Sequence, residues 1–190
     1  AGGYGLFVRE LDNAILDGRI DAAVHSMKDI PAERPAGLAL SAVLKRDPPF
    51  DFLAVEKPME EVSTIGTSSL RRRAQLLRYY HQYPEMHVAN LRGNIDTRLA
   101  KLESGEYDAI VLAEAALIRL GLHVHGFRLS ADSLVPAPNQ GTIAVVSRDT
   151  AELRAAFAPL NDSQTAFDTA AERAVMEEIG GGCFTPQGVY

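Results

Sequence analysis

VSTIGTSSLRRRAQLLRYYHQ, residues 62–82, passes in a few steps from one backbone period to another. Residues 62–66 read as a strand. Thr67-Ser68-Ser69 offers the hydroxyl oxygens of a helix N-cap, and residues 70–82 follow at helical spacing with Leu70, Ala74 and Leu77 on one face. Three cations, Arg71, Arg72 and Arg73, then occupy the first helical turn. The helix dipole places partial positive charge there, so each cation is unfavourable by roughly 0.3–1 kcal/mol in an isolated helix. An anion reverses that sign, because backbone N–H groups, hydroxyls and guanidinium forks converge on it. The stretch therefore predicts a strand–turn–helix unit built around a carboxylate or phosphate. The bland alternative is a solvated helix face.

Outward from this stretch the alternation continues. Strands are expected over 86–91 and 107–113, and helices over 95–104 and 114–120, with Gly105 and Gly121 closing the helices. Such alternation predicts an α/β fold with a parallel sheet, and ligands beyond the carboxyl ends of its strands, where Thr67, Arg92 and Glu114 fall. Upstream, residues 6–16 read as a helix, and 21–25 and 38–44 as strands. Pro48-Pro49 and Pro136/Pro138 punctuate the chain. Beyond them come a buried strand over 142–147, helices over 152–160 and 165–179, and the run Gly180-Gly181-Gly182-Cys183.

Composition narrows the function. The 190 residues are 46% hydrophobic, enough for a real core, with a net charge of −6 that disfavours a nucleic-acid or membrane binder. Yet residues 66–101 hold seven basic and two acidic side chains, a local +5 against −11 elsewhere. That island suits a small, multiply charged anion. An RNA-binding reading through residues 70–78 fits the overall charge poorly. The single cysteine, Cys183, excludes an internal disulfide and suits a reducing compartment. No signal peptide is read, and no apolar run approaches the ~20 residues of a membrane span. Metal binding is not expected, since His123 and His125 have no second cysteine to join.

Three further positions carry chemistry. Asp29, beside Lys28 on a loop after a strand, could stabilise a developing cation or act as a general base; it could equally be a turn aspartate. Arg92 and Arg98 flank Gly93 in a pattern suited to bidentate carboxylate binding, or to plain surface charge. Cys183, after three glycines, is either an accessible thiol or a small core residue.

Together these segments resemble the porphobilinogen deaminase (hydroxymethylbilane synthase) family. The likeness is carried by Gly5-Leu6-Phe7-Val8-Arg9-Glu10-Leu11, His25-Ser26-Met27-Lys28-Asp29, Gly66-Thr67-Ser68-Ser69-Leu70-Arg71-Arg72 and Leu91-Arg92-Gly93-Asn94. It continues through Thr97-Arg98-Leu99, Arg119-Leu120-Gly121-Leu122, Gln140-Gly141, Glu172-Arg173-Ala174 and Gly181-Gly182-Cys183. The resemblance implies an enzyme that joins four porphobilinogen molecules into the linear tetrapyrrole hydroxymethylbilane, releasing ammonia, as a step of porphyrin and heme biosynthesis. It implies a dipyrromethane cofactor held through a thioether at Cys183, a catalytic Asp29, and carboxylate binding by Arg71, Arg72, Arg92, Arg98 and Arg119 with Ser26, Lys28, Thr67 and Ser68.

The implied fold is α/β: two type II periplasmic-binding-protein-like domains and a small α/β C-terminal domain, incomplete here. Residues 1–50 with 135–155 would form domain 1, lacking its N-terminal strand. Residues 51–134 would form domain 2, and 157–190 the start of domain 3 with the cysteine loop. A cytoplasmic monomer acting on a small molecule, with neither nucleic acid nor membrane as partner, is expected. Two departures stand out: Tyr4 where bacterial members commonly carry Lys, and Asn139 where the family usually has Gly before Gln140-Gly141. A non-catalytic two-domain anion binder, or an inactive fragment of the enzyme, is the alternative.

Overall fold

Apolar runs too short to be helices and too continuous to lie at a surface become the central strands of two sheets. The structure is a computed structural model that describes residues 4–31, 33–81, 83, 85–180 and 185–190. It divides into two compact units: residues 1–47 with 138–183, and residues 48–137 with 184–190. The α/β class expected from the sequence is the class observed.

Unit 1 holds helix α1 (Tyr4–Leu16), strands β1 (Ala22–Ser26) and β2 (Leu38–Val43), and, after unit 2, strand β8 (Ile143–Arg148) with helices α5 (Ala151–Phe157) and α6 (Ser163–Ile179). Its sheet has the order β1-β8-β2. Both pairings are antiparallel, with Val24 opposite Val145 and Val43 opposite Ala144. The apolar run of β8 earns the central place: Ala144, Val145 and Val146 are all buried. Ile15 of α1 packs with Ala23, Met27, Ile30, Val43, Ala144 and Val146 to form the core.

Unit 2 contains β3 (Asp51–Val55), β4 (Thr64–Gly66), α2 (Leu70–Tyr79), β5 (His87–Ala89), α3 (Ile95–Glu103), β6 (Ala109–Ala113), α4 (Glu114–Leu120) and β7 (Gly126–Leu129). The sheet order is β5-β4-β6-β3-β7. Strands β5, β4 and β6 are parallel, as the alternation predicts. The expectation of a parallel sheet is corrected only at β3, outside that alternation, which runs antiparallel to both β6 and β7. The reason is the route of the chain: β3 has no helical crossover, and enters between β6 and β7 directly after Pro48-Pro49. One consequence is positional. Asp51, the first residue of β3, pairs with Ala113, the last of β6, so it lies at the edge where the parallel strands end.

The α2 face is a second correction. Leu70 and Leu77, grouped by their spacing on one face, are exposed, while Arg72, Leu76 and Tyr80, spaced four apart, are buried. Gly126 explains how β7 joins β3 so closely. At φ 144 it occupies a conformation side chains rarely adopt, and a Cβ there would stand 2.1 Å from the Leu53 carbonyl oxygen.

Candidate functional site

In unit 1 the candidate site is the end of β1. Ser26 closes the strand, and Met27–Asp29 forms one 3-10 turn. Met27 and Ile30, each 1% exposed, pin its underside, leaving Lys28 and Asp29 partly exposed above. Burial pushes the Asp29 carboxyl above its ordinary range, while the neighbouring Lys28 ammonium pulls the other way. The Lys28 Nζ donates to Gln140 Oε1 at 3.2 Å. Gln140 follows Asn139, whose φ of 61 explains the departure noted in the sequence: the left-handed position that glycine serves elsewhere is one Asn tolerates.

Unit 2 contributes the carboxyl edge of its parallel strands. Ser69 is the N-cap of α2, accepting from the Arg72 N–H, and Thr67 Oγ1 accepts from the Ser69 N–H at 3.2 Å. Ser68 Oγ donates to the Leu91 carbonyl at 2.7 Å, tying the turn to the segment after β5. Arg71 and Arg72 are not a solvated face: they are 5% and 6% exposed. Both close on Asp51, which is fully buried. Arg71 Nη2 lies 2.7 Å from Asp51 Oδ2, and Arg72 donates to Oδ1 from Nε at 3.0 Å and Nη2 at 2.7 Å. Carbonyl oxygens take further donors, Val135 from Arg71 and Val111 from Arg72. Burial lowers the Arg71 pKa, with Asp51 opposing that shift. Part of the anion that the first turn of α2 calls for is thus a carboxylate of the same unit.

Arg92 is exposed just after β5. Arg98 reaches back from α3, its Nε donating to the Gly93 carbonyl at 2.8 Å. Gly93 is required there, since at φ 120 a Cβ would meet Thr97 side-chain atoms at 2.7 and 2.8 Å. Asn94 caps α3 by accepting from the Thr97 N–H at 2.9 Å. Glu114, at the end of β6, is held by Arg128 through bonds of 2.7 and 2.8 Å. Arg119 sits in the last turn of α4, at the far end of that helix from β6. Cys183 lies outside the described residues; α6 ends at Ile179 and is capped by Gly180.

Sequence reasoning missed Asp51, whose signal is a lone acid opening an apolar run, Phe50-Asp51-Phe52-Leu53. It missed Arg46 as well, which binds the Gln140 carbonyl at 2.9 Å and forms an ion pair with Glu172. Among the described residues, no group of three or more His, Cys, Asp or Glu side chains could hold a metal ion. No helix among them is long and apolar enough to cross a membrane.

Residues 1–155 match the family model described as "Porphobilinogen deaminase, dipyromethane cofactor binding domain". The chain belongs to the porphobilinogen deaminase family. A protein of Methanosarcina mazei named "Probable porphobilinogen deaminase" is 51% identical over 195 residues, covering 100% of this chain and 61% of its own length. "Porphobilinogen deaminase" of Chromobacterium violaceum is 47% identical over 197 residues, covering 100% of this chain and 62% of its own length. The chain thus spans about three-fifths of these porphobilinogen deaminase relatives. Among solved structures, the periplasmic molybdate-binding protein of Azotobacter vinelandii is 13% identical, with a TM-score of 0.45, over 86% of this chain and 81% of its own.

Proposed function

We propose that this chain is the larger part of a hydroxymethylbilane synthase, which converts four porphobilinogen molecules and one water into hydroxymethylbilane and four ammonia. The observation that carries the reading is the Asp29 carboxyl, half-buried on its one-turn pedestal beside Lys28. At each step a C–N bond breaks, ammonia leaves, and positive charge spreads to the substrate pyrrole nitrogen. The Asp29 carboxylate accepts the pyrrole N–H hydrogen bond and stabilises that charge as it develops. After the new C–C bond forms, the same oxygen takes the proton lost from the ring carbon. Its burial-raised proton affinity suits both tasks.

The dipyrromethane group fits the donor set. Arg71 and Arg72 share one carboxylate, so the pair retains one positive charge that Asp51 does not balance. In unit 2 a pyrrole acetate or propionate would meet it, and Arg92, Arg98 and Arg119 would take others, with Thr67 donating its hydroxyl and Ser68 holding the turn in place; in unit 1 Lys28 and the Ser26 hydroxyl would serve the same purpose. Cys183 would hold the group through a thioether, and the group would supply the pyrrole carbon on which the chain begins. We place the protein in the cytoplasm as a monomer.

Residues 157–190 open a third domain in this reading. What supports it is α6, whose packed face is Thr165, Thr169, Glu172 and Met176 while Phe167, Val175 and Ile179 point outward. Such an inverted helix suits a further layer.

The test uses protein carrying the full length of the relatives. Intact mass should show two pyrrole units added at Cys183, and porphobilinogen should yield linear tetrapyrrole. A folded protein with an unmodified thiol and no product from porphobilinogen refutes the reading.

A further inference from the structure

We propose that Gln140 and Arg173 are positioning residues that grip the Lys28–Asp29 turn from its two sides. The inference rests on the reading of Lys28 and Asp29 as working groups. The turn is closed by a bond from the Ile30 N–H to the Met27 carbonyl at 3.1 Å and anchored by one from the Met27 N–H to the Thr142 carbonyl at 2.9 Å. A lysine side chain carries about 2 kcal/mol of rotamer entropy, so holding its ammonium in one place takes a fix from a neighbour.

Gln140 provides that fix. It is 1% exposed, and its Oε1 accepts from Lys28 Nζ at 3.2 Å. Its own backbone is locked, since its carbonyl accepts from Arg46 Nε at 2.9 Å. The Arg46 guanidinium in turn grips Glu172, which also accepts the Asn139 N–H. On the other side, Arg173 donates to the Pro31 carbonyl at 2.9 Å and to the Ile30 carbonyl at 3.5 Å. Glu172 and Arg173 are consecutive on α6, so one helical step anchors both grips. That helix ends at Ile179 with Gly180 as its cap.

The choice of an amide is chemically pointed. A carboxylate at 140 would hold the ammonium equally well but would neutralise it. Gln140 orients the charge and leaves it available for a substrate carboxylate.

The experiment uses protein with the full length of the relatives and three variants, Gln140→Met, Gln140→Glu and Arg173→Met. Lys28 acetylation is followed by peptide mass spectrometry, amide exchange is followed over residues 26–31, and KM and kcat are measured with porphobilinogen. Gln140→Met should speed Lys28 acetylation about fivefold to tenfold, and Gln140→Glu should slow it, while both raise KM about tenfold with a smaller change in kcat. Arg173→Met should speed exchange across the turn about tenfold. Lys28 acetylation unchanged in Gln140→Met, or raised alike in the Met and Glu variants, overturns the role of Gln140; unchanged exchange in Arg173→Met overturns that of Arg173. The labelling and exchange readouts need no turnover. A parent protein that makes no tetrapyrrole therefore sinks the functional reading while still deciding this one.

Discussion

Asp51 is one carboxylate serving two guanidiniums, and that ratio governs the strand-end edge of unit 2. Removing its charge would leave Arg71 and Arg72 buried against each other. Breaking a buried ion pair on one side costs about 3–5 kcal/mol, so Asp51→Asn should lower the urea midpoint of unit 2 severely, and Asp51→Asn with Arg72→Met should recover part of the loss. Asp29 predicts the opposite sign. Burial raises its folded-state pKa, so the ionised carboxylate opposes folding at neutral pH. That penalty is absent below the unfolded-state value of about 3.9 and grows as pH rises through the folded-state value. Asp29→Asn should therefore be more stable than the parent at pH 7, with the gain fading in thermal melts taken towards pH 3. In the full-length protein the same variant should lose most turnover. Asp29→Glu, displacing the carboxylate by about one methylene, should lower kcat about 100-fold with KM less affected.

At the scale of elements, the sequence is legible where side-chain period and burial agree. The buried runs of β6 and β8 are read closely because their apolar residues do face inward, as do Ala115 and Leu117 of α4. Two helices defeat that logic. In α2 the buried stripe is Arg72, Leu76 and Tyr80, and an arginine counts as a surface residue until its buried acid is known. The acid lies on β3, hidden by the Pro48-Pro49 pair that precedes it, and β7 is an edge strand too polar to announce itself. In α6 the polar side chains are again the packed ones. The Lys28–Asp29 turn and the Ser69 cap were readable from local chemistry; the grip of Gln140 and Arg173 was not, because it joins residues more than a hundred positions apart. The α6 inversion yields its own prediction. Phe167 is 73% exposed, so Phe167→Ser should shift the stability of residues 1–190 by no more than about 0.5 kcal/mol. In protein of the relatives' length the same change should cost about 3 kcal/mol, as removal of a buried aromatic does. Equal, small effects in both proteins, measured by urea unfolding, would show that no third domain covers α6.

The whole molecule sets charge against charge. Residues 66–101 carry +5 within a chain of net −6, so under the proposed function a dianionic substrate would meet a repulsive body with an attractive island. The structure revises the strength of that island. Asp51, outside the stretch in sequence, lies within it in space and reduces it to +4. What remains divides by exposure: Arg73, Arg78 and Arg92 face solvent, while Arg71 and Arg72 are buried. Salt acts on the first group and hardly on the second, because screening needs mobile ions close to the charge. Raising ionic strength from about 0.05 to about 0.5 M shortens the Debye length from well over 10 Å to about 4 Å. KM for porphobilinogen should then rise about threefold, with kcat nearly constant, since steering is screened while contacts made inside the site are not. Arg92→Gln should flatten that salt dependence and raise KM at low salt. A kcat that falls with salt while KM stays level would place the dominant electrostatics in the buried pair, and would transfer substrate capture from the exposed arginines to Arg71 and Arg72.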